Sequence, residues 1–281
     1  MSILTNPQVL QIIGMALNED VGTGDITTET TIPADKTAYG KFIAKEDMII
    51  CGIDLAELVF HTIDKSIEFC ANFRDGDFVK KGECIAQVSG NARNVLTAER
   101  TALNFMQRMT GIATKTNAAV KCVEGTSAKI SDTRKTTPGL RVLEKYAVRI
   151  GGGSNHRFNL ADGILIKDNH IAISGGIKKA VENARTKAPH TIKIEVEVEN
   201  KQMLLEALEA KADIIMLDNM TNDEMAECVK IVAGRALVEA SGNMGDKDLA
   251  EVAKTGVDII SIGGLTHTVK AADISLKFKI S

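Results

Sequence analysis

From about residue 128 onward the chain alternates short apolar runs with amphipathic stretches, and this rhythm constrains the fold more than any other feature. Runs at 128–132, 163–167, 192–198, 212–217, 236–240 and 258–262 read as strands. Residues 140–149, 175–187, 201–210, 221–232 and 246–255 read as the helices that follow most of them. Repeated βα units pair their strands in parallel, through right-handed crossovers. Each run also ends in polar residues: Asp132-Thr133-Arg134-Lys135, Lys167-Asp168-Asn169-His170, E-V-E-V-E-N at 195–200, Leu217-Asp218-Asn219, Glu239-Ala240-Ser241-Gly242 and Ile262-Gly263-Gly264. Six such strand ends in succession fit a (β/α) barrel, which carries its chemistry on the loops at its C-terminal mouth. An open doubly wound sheet would concentrate it at one switch point instead. Six strands rather than eight predict an incomplete barrel.

The first part of the chain has a different texture. Residues 7–19 place Val9, Ile12, Ile13, Ala16 and Leu17 at helical spacing after Pro7, and 19–27 is turn chemistry. Short β-like runs follow at 40–44, 48–51, 67–73 and 84–88, with a helix over 54–62. The stretch R-D-G-D-F-V-K-K-G-E (74–83) resembles the hairpins of biotinyl and lipoyl carrier domains, but no lysine sits at a tight turn flanked by small or Met residues, so it reads as part of a β layer. Residues 92–123 form a long helix candidate on which Arg100, Asn104 and Arg108 share one face. A length of 281 residues fits about two domains. The expected division is 1–112, an N-terminal α/β sandwich, and 113–267, a catalytic barrel, with the tail 268–281 packing back on the first.

Composition removes several function classes. The formal net charge is −3, Trp is absent and aromatics are 4%, so neither a general nucleic-acid nor a membrane-surface partner is expected. No apolar run approaches a membrane span, and M-S-I-L-T-N-P-Q lacks the basic and apolar regions of a leader. The five scattered cysteines (Cys51, Cys70, Cys84, Cys122 and Cys228), with no C-x-x-C, read as reduced and mostly packed thiols of a cytoplasmic protein. No G-x-G-x-x-G follows a strand, and G-G-G at 151–153 lacks the lysine spacing of a phosphate-binding P-loop.

Charge is concentrated where the barrel mouth should be. Residues 133–157 hold Arg134, Lys135, Arg141, Lys145, Arg149 and Arg157 against one acid, Glu144, with His156 in addition. Lys145 reads as part of a solvated helix face. Arg134, Lys135, His156 and Arg157 fall in loop-like segments, where ligand contacts concentrate. Guanidinium forks match carboxylate and phosphate oxygens, so a polyanionic small molecule is implied. Glu195, Glu197 and Glu199 alternate onto one face of their strand. Alone, such a strand reads as half-exposed, with a solvated acidic face. Among βα units, whose strands are covered on both sides, three carboxylates facing the interior must meet cations or metal. Asp218 and the glutamates would then serve ribose hydroxyls, a divalent metal, or both. Gly242 and Gly263 would let backbone amides approach phosphate.

The motifs E-R-T-A-L-N-F-M-Q-R-M-T-G-I-A-T (99–114), D-T-R-K-T-T-P-G-L-R (132–141) and K-Y-A-V-R-I-G-G-G-S-N-H-R (145–157) resemble those of quinolinate phosphoribosyltransferases, the carboxylating nicotinate-nucleotide pyrophosphorylases. So do L-I-K-D-N-H-I (165–171), E-V-E-V-E-N, I-M-L-D-N-M (215–220), E-A-S-G-N (239–243) and I-S-I-G-G-L-T-H (260–267). The resemblance runs in order over essentially the whole chain. It implies an N-terminal α/β sandwich followed by an open, six-stranded α/β barrel. It also implies phosphoribosyl transfer from 5-phosphoribosyl 1-pyrophosphate to quinolinate with decarboxylation, giving nicotinate mononucleotide, pyrophosphate and CO2 in NAD biosynthesis, with Mg2+. Carried over residue by residue, Arg134, His156, Arg157 and Lys167 would meet the quinolinate carboxylates, with Arg100 contributed in trans across a homodimer or assembly of dimers. Lys135, Glu197, Asp218, Ser241, Gly242, Asn243 and Gly263 would line the phosphoribosyl pyrophosphate side, with Glu197 and Asp218 as the metal ligands. Two alternatives stand beside this: a paralogous phosphoribosyltransferase of the molybdenum-transport-associated type acting on another acid, and a non-catalytic ligand-binding relative.

Overall fold

The structure is a computed structural model that describes residues 5–278. In chain order, helices α1 (Pro7–Val21) and α2 (Ile26–Thr31) precede β1 (Thr37–Ala44), β2 (Met48–Ile49), α3 (Ile53–Ile63), β3 (Glu68–Ala71), β4 (Phe78–Val79), β5 (Cys84–Asn91) and α4 (Ala92–Cys122). The second half runs β6 (Lys129–Ser131), α5 (Arg141–Ile150), β7 (Ile164–Ile166), α6 (Asp168–Ser174), α7 (Ile177–Lys187), β8 (Ile194–Val198), α8 (Lys201–Glu209) and β9 (Ile214–Asp218). It continues with α9 (Asn222–Val232), β10 (Leu237–Ser241), α10 (Leu249–Lys254), β11 (Ile259–Ser261), α11 (Gly264–His267) and β12 (Ile274–Phe278). Two compact units result. One comprises the chain up to Asn117 with 137–152 and the segment from Thr268, and the other comprises 118–136 and 153–267.

The first unit is built on an antiparallel sheet of order β12-β1-β5-β3. Its last strand comes from the C-terminal tail, with Gly40 opposite Phe278 and Ala44 opposite Ile274. Residues 279–281 of that tail lie outside the described residues. Alternation along β1 and β5 buries Phe42, Ala86 and Val88 on one face. There Phe42, Phe60 of α3 and Phe69 stack with centroids 5.8–6.0 Å apart. The stretch that resembles a carrier hairpin supplies β4, which pairs with β2. The same unit holds α1, capped by the Asn6 side chain and started by Pro7, with Val9, Ile13 and Leu17 buried along one stripe. It also holds α5, where the sequence reading of Lys145 fails: the residue is 2% exposed, next to the buried Glu144. A basic residue in an amphipathic segment reads as solvated until packing reveals which side of the helix is covered.

The second unit is the expected α/β barrel sheet. Six parallel strands pair in the order β6-β11-β10-β9-β8-β7, so the first barrel strand neighbours the last and the opening lies between the first and second. A single parallel bridge, Ser131 with Ser154, starts across that opening. β8 shows why a barrel strand is apolar on one side only: Ile194, Val196 and Val198 are buried on one face, while Glu195 is buried on the other. Glu199, expected to extend the inward carboxylate row, is exposed and lies past the end of the strand. Two short helices escaped the periodicity, α6 and α11, because each begins directly at a strand end and is too short to show a stripe.

Candidate active site

The site residues expected in the barrel lie in the last residues of its strands or just past them, except His156 and Arg157, which lie on the segment leading from α5 into β7. After β6 the chain turns at Thr133, whose Oγ1 accepts from Lys135 N–H at 3.0 Å. The Lys135 carbonyl then accepts from Thr266 Oγ1 at 2.7 Å, tying this turn to α11. The Lys135 side chain runs over Gly263: a Cβ built there would lie 2.9 Å from Lys135 Cδ. A side chain at Gly263 would push the flexible end of the lysine aside.

Asp132 is fully buried, accepts from His156 N–H at 2.9 Å and also holds the Asn155 amide. It anchors the segment carrying His156 and Arg157, a role sequence reasoning missed because an aspartate at a strand end reads as solvated. The His156 ring turns inward. Its Nδ1 accepts from Arg157 N–H at 2.8 Å, and its Nε2 lies 3.2 Å from Glu195 and 3.7 Å from Glu239. Arg157 donates to the Gly163 carbonyl at 2.9 Å. Burial and the nearby Arg134 guanidinium both press its pKa downward, against the Glu195 charge. Two guanidiniums close enough to repel form a locus where an anion is stabilised.

Lys167, ending β7, bonds its ammonium to Glu197 of β8, whose side chain is mostly buried. On β9, Asp218 accepts from the Asn219 side chain at 2.7 Å, and Asn219 N–H donates to the Ser241 carbonyl at 3.1 Å. Asn243 reaches Asn219 at 3.4 Å. The turn is made by three left-handed residues, Asn219, Gly242 and Asn243. A Cβ at Gly242 would meet Asn219 Oδ1 at 2.4 Å, so no other residue can close the ends of β9 and β10 this tightly. Arg100, the remaining expected residue, is exposed on α4 in the first unit. Its helix neighbour Arg108 instead folds onto Glu144 at 2.5–2.9 Å and onto Thr137, so the shared face expected for the two does not give them a shared role.

Carboxylate oxygens on adjacent strands, Glu197 and Asp218, are the donor type that a hard divalent cation such as Mg2+ selects, alongside substrate oxygens and water. Among the described residues, one deeper set has metal-ligand character: His156, Glu195 and Glu239.

Cations and carboxylates on successive strand ends of a parallel α/β sheet define an α/β-barrel transferase for a polyanionic small molecule. Family models agree in both parts of the chain, the quinolinate phosphoribosyl transferase N-terminal domain over residues 25–110 and its C-terminal domain over 112–277. The chain belongs to the quinolinate phosphoribosyltransferase family. It is 44% identical to a probable carboxylating nicotinate-nucleotide pyrophosphorylase of Bacillus subtilis, over 98% of this chain and 94% of that protein. It is 45% identical to the protein of the same name from Methanocaldococcus jannaschii, over 95% of this chain and 96% of the other. The structure of the nicotinate-nucleotide pyrophosphorylase from Francisella tularensis superposes with a TM-score of 0.94 at 43% identity, covering 99% of both chains.

Proposed function

We propose that this chain transfers the phosphoribosyl group of 5-phosphoribosyl 1-pyrophosphate to quinolinate and decarboxylates the product, giving nicotinate mononucleotide, pyrophosphate and CO2 for NAD biosynthesis. What supports it is the match of both parts of the chain to the quinolinate phosphoribosyl transferase family, together with Arg134, Lys135 and Lys167 at the strand ends of the barrel and Arg157 on the segment leading into β7. Arg134, Arg157 and Lys167 take the quinolinate side, while His156, expected there as well, turns inward with its ring nitrogens engaged by Arg157 N–H and Glu195. Lys135, Ser241, Gly242, Asn243 and Gly263 take the phosphoribosyl pyrophosphate side. Residues 1–112 serve as the sandwich domain and 113–267 as the catalytic domain, although 113–117 and 137–152 pack with the first unit.

The pyridine nitrogen attacks the anomeric carbon as pyrophosphate leaves. No general base is required, since that nitrogen already carries its lone pair. Glu197 and Asp218 lie where an oxocarbenium-like state gains from negative charge, and Lys135 neutralises the departing phosphates. Glu197 and Asp218 would hold Mg2+, which supplies Lewis-acid neutralisation of the pyrophosphate. The new glycosidic bond makes the ring nitrogen cationic. When the C2–carboxylate bond breaks, its electron pair stays on C2 beside that positive charge and is then protonated by water. The chain's own cations need only hold the carboxylate in place until it departs.

The test is mass detection of nicotinate mononucleotide after adding both substrates and magnesium. Quinolinate bound without product would instead indicate a ligand-binding protein, and product from another acid a paralogue. We further place the enzyme in the cytoplasm, where its five free cysteines would stay reduced; two of them, Cys70 and Cys122, are exposed rather than packed as expected. Among the described residues no helix is long and apolar enough to cross a membrane.

The working unit is a homodimer, alone or within a larger assembly, in which the exposed Arg100 completes the partner's site. Mixing Arg100→Ala with Lys167→Ala chains then makes about half the dimers mixed, each with one intact site of two, so about a quarter of wild-type activity returns. A mixture as inactive as its parents after verified chain exchange places Arg100 outside the partner's site.

A further inference from the structure

Glu195 and Glu239 each stand two residues deeper than a residue assigned to the site, before Glu197 on β8 and before Ser241 on β10. Their side chains are 6% and 2% exposed, and one oxygen of each, Oε1, is buried with no hydrogen-bond partner. Buried carboxylates of this kind are costly unless something else depends on them. Both face the same group, Nε2 of His156.

The other ring nitrogen decides what they do there. Nδ1 accepts from Arg157 N–H at 2.8 Å, and an imidazole nitrogen that accepts carries no proton. The hydrogen-bond network therefore assigns the ring proton to Nε2, aimed at the two glutamates. A metal ion among His156, Glu195 and Glu239 would need the Nε2 lone pair. That would move the proton to Nδ1, where it would confront the Arg157 N–H. The cluster thus favours a proton over a cation. Burial and the Glu195 charge push the Glu239 carboxyl up to about 7, which keeps the pair from carrying two full charges near neutrality.

We propose that Glu195 and Glu239 are positioning residues that lock His156 in its Nε2–H tautomer, so that the ring in turn fixes the backbone from which the Arg157 guanidinium is presented. Segment 155–157 is then held from three strands: Asp132 at the end of β6 takes its backbone and the Asn155 amide, while β8 and β10 take the ring. The inference rests on the reading that Arg157 meets the quinolinate carboxylates.

The test compares Glu195→Leu, which removes the acceptor, with Glu195→Gln, which keeps one. Two readouts are used: the 15N spectrum of histidine-labelled enzyme, and KM for each substrate. Wild-type His156 should show an unprotonated Nδ1 and a protonated Nε2. Glu195→Leu should lose that signature and raise KM for quinolinate about ten- to a hundredfold, the scale of a misplaced binding group, while KM for phosphoribosyl pyrophosphate stays put. Glu195→Gln should restore both. If Glu195→Leu fails to fold, Glu239→Leu against Glu239→Gln makes the same contrast. A proton on Nδ1 in the wild type, or an unchanged quinolinate KM in the Leu variants, overturns the proposal. Wild-type enzyme that does not turn over quinolinate overturns the functional reading instead, and the 15N spectrum still decides the tautomer.

Discussion

The two sheets bury different things. In the antiparallel sheet of the first unit, Phe42, Ala86 and Val88 go inward, while Tyr39, Glu68 and Gln87 go to solvent. Those three polar side chains have water to face. In the parallel sheet of the second unit, Ser131, Glu195, Glu239 and Ser261 are 1–4% exposed although all four are strand residues. A strand covered on both sides offers a polar residue no solvated face, so a carboxylate there persists only if another group uses it. Burial in the first sheet reports packing. Burial of polar atoms in the second marks the machinery.

That contrast can be broken at four places, the largest effect first. If the cations of the second unit are arranged for two carboxylates, nicotinate, which lacks one, should be turned over with kcat/KM lower by up to about 10⁴–10⁵. Comparable kcat/KM values in competition assays would mean the basic cluster serves something else. In the first unit, Phe60→Ala should cost about 3–5 kcal/mol of stability, because the ring is fully buried against two others. Denaturant unfolding measures this, and turnover per folded molecule should not move.

Lys135→Ala and Arg134→Ala should do the reverse, each lowering kcat by about 10²–10³. Thermal midpoints should stay in place, since the Lys135 backbone, not its side chain, holds Thr266. The mildest effect concerns Glu239. Its native pKa lies near 7, raised from 4.5 first by burial and then by Glu195, against His156, Lys167 and a hydrogen bond from Ser261. Between those values the native state holds a proton that the unfolded chain has released. Stability is therefore greatest below pH 4.5 as far as this group is concerned, and falls by up to about 1.4 kcal/mol per pH unit as pH rises toward 7. Glu239→Gln should flatten that part of the profile, and an unaltered slope would show that the proton resides elsewhere.

Much of this was legible from the chain. Strand–helix rhythm placed all six barrel strands to within a few residues, and the polar strand ends located Lys135, Lys167, Asp218 and Gly242 at the mouth. Other features were not visible. Lys145 and Glu144 look like ordinary helix-surface charges until packing buries them, and α6 is too short for a periodic stripe. Glu199 follows the alternation of its neighbours, but alternation stops meaning anything once the strand has ended. Asp132 and Glu239 were in view at their strand ends, yet nothing local distinguishes a carboxylate that holds a backbone amide from one that meets solvent.

What the sequence determined by itself was periodicity and chemical type: which segments are strands, where the cations gather, and which family motifs they form. Those are properties of residues a few positions apart. Only the tertiary structure decided which charges meet. His156 lies 39 residues from Glu195 and 83 from Glu239. Strand order, set by right-handed crossovers between covered parallel strands, brings Glu195 to 3.2 Å and Glu239 to 3.7 Å from the same ring nitrogen, Nε2 of His156.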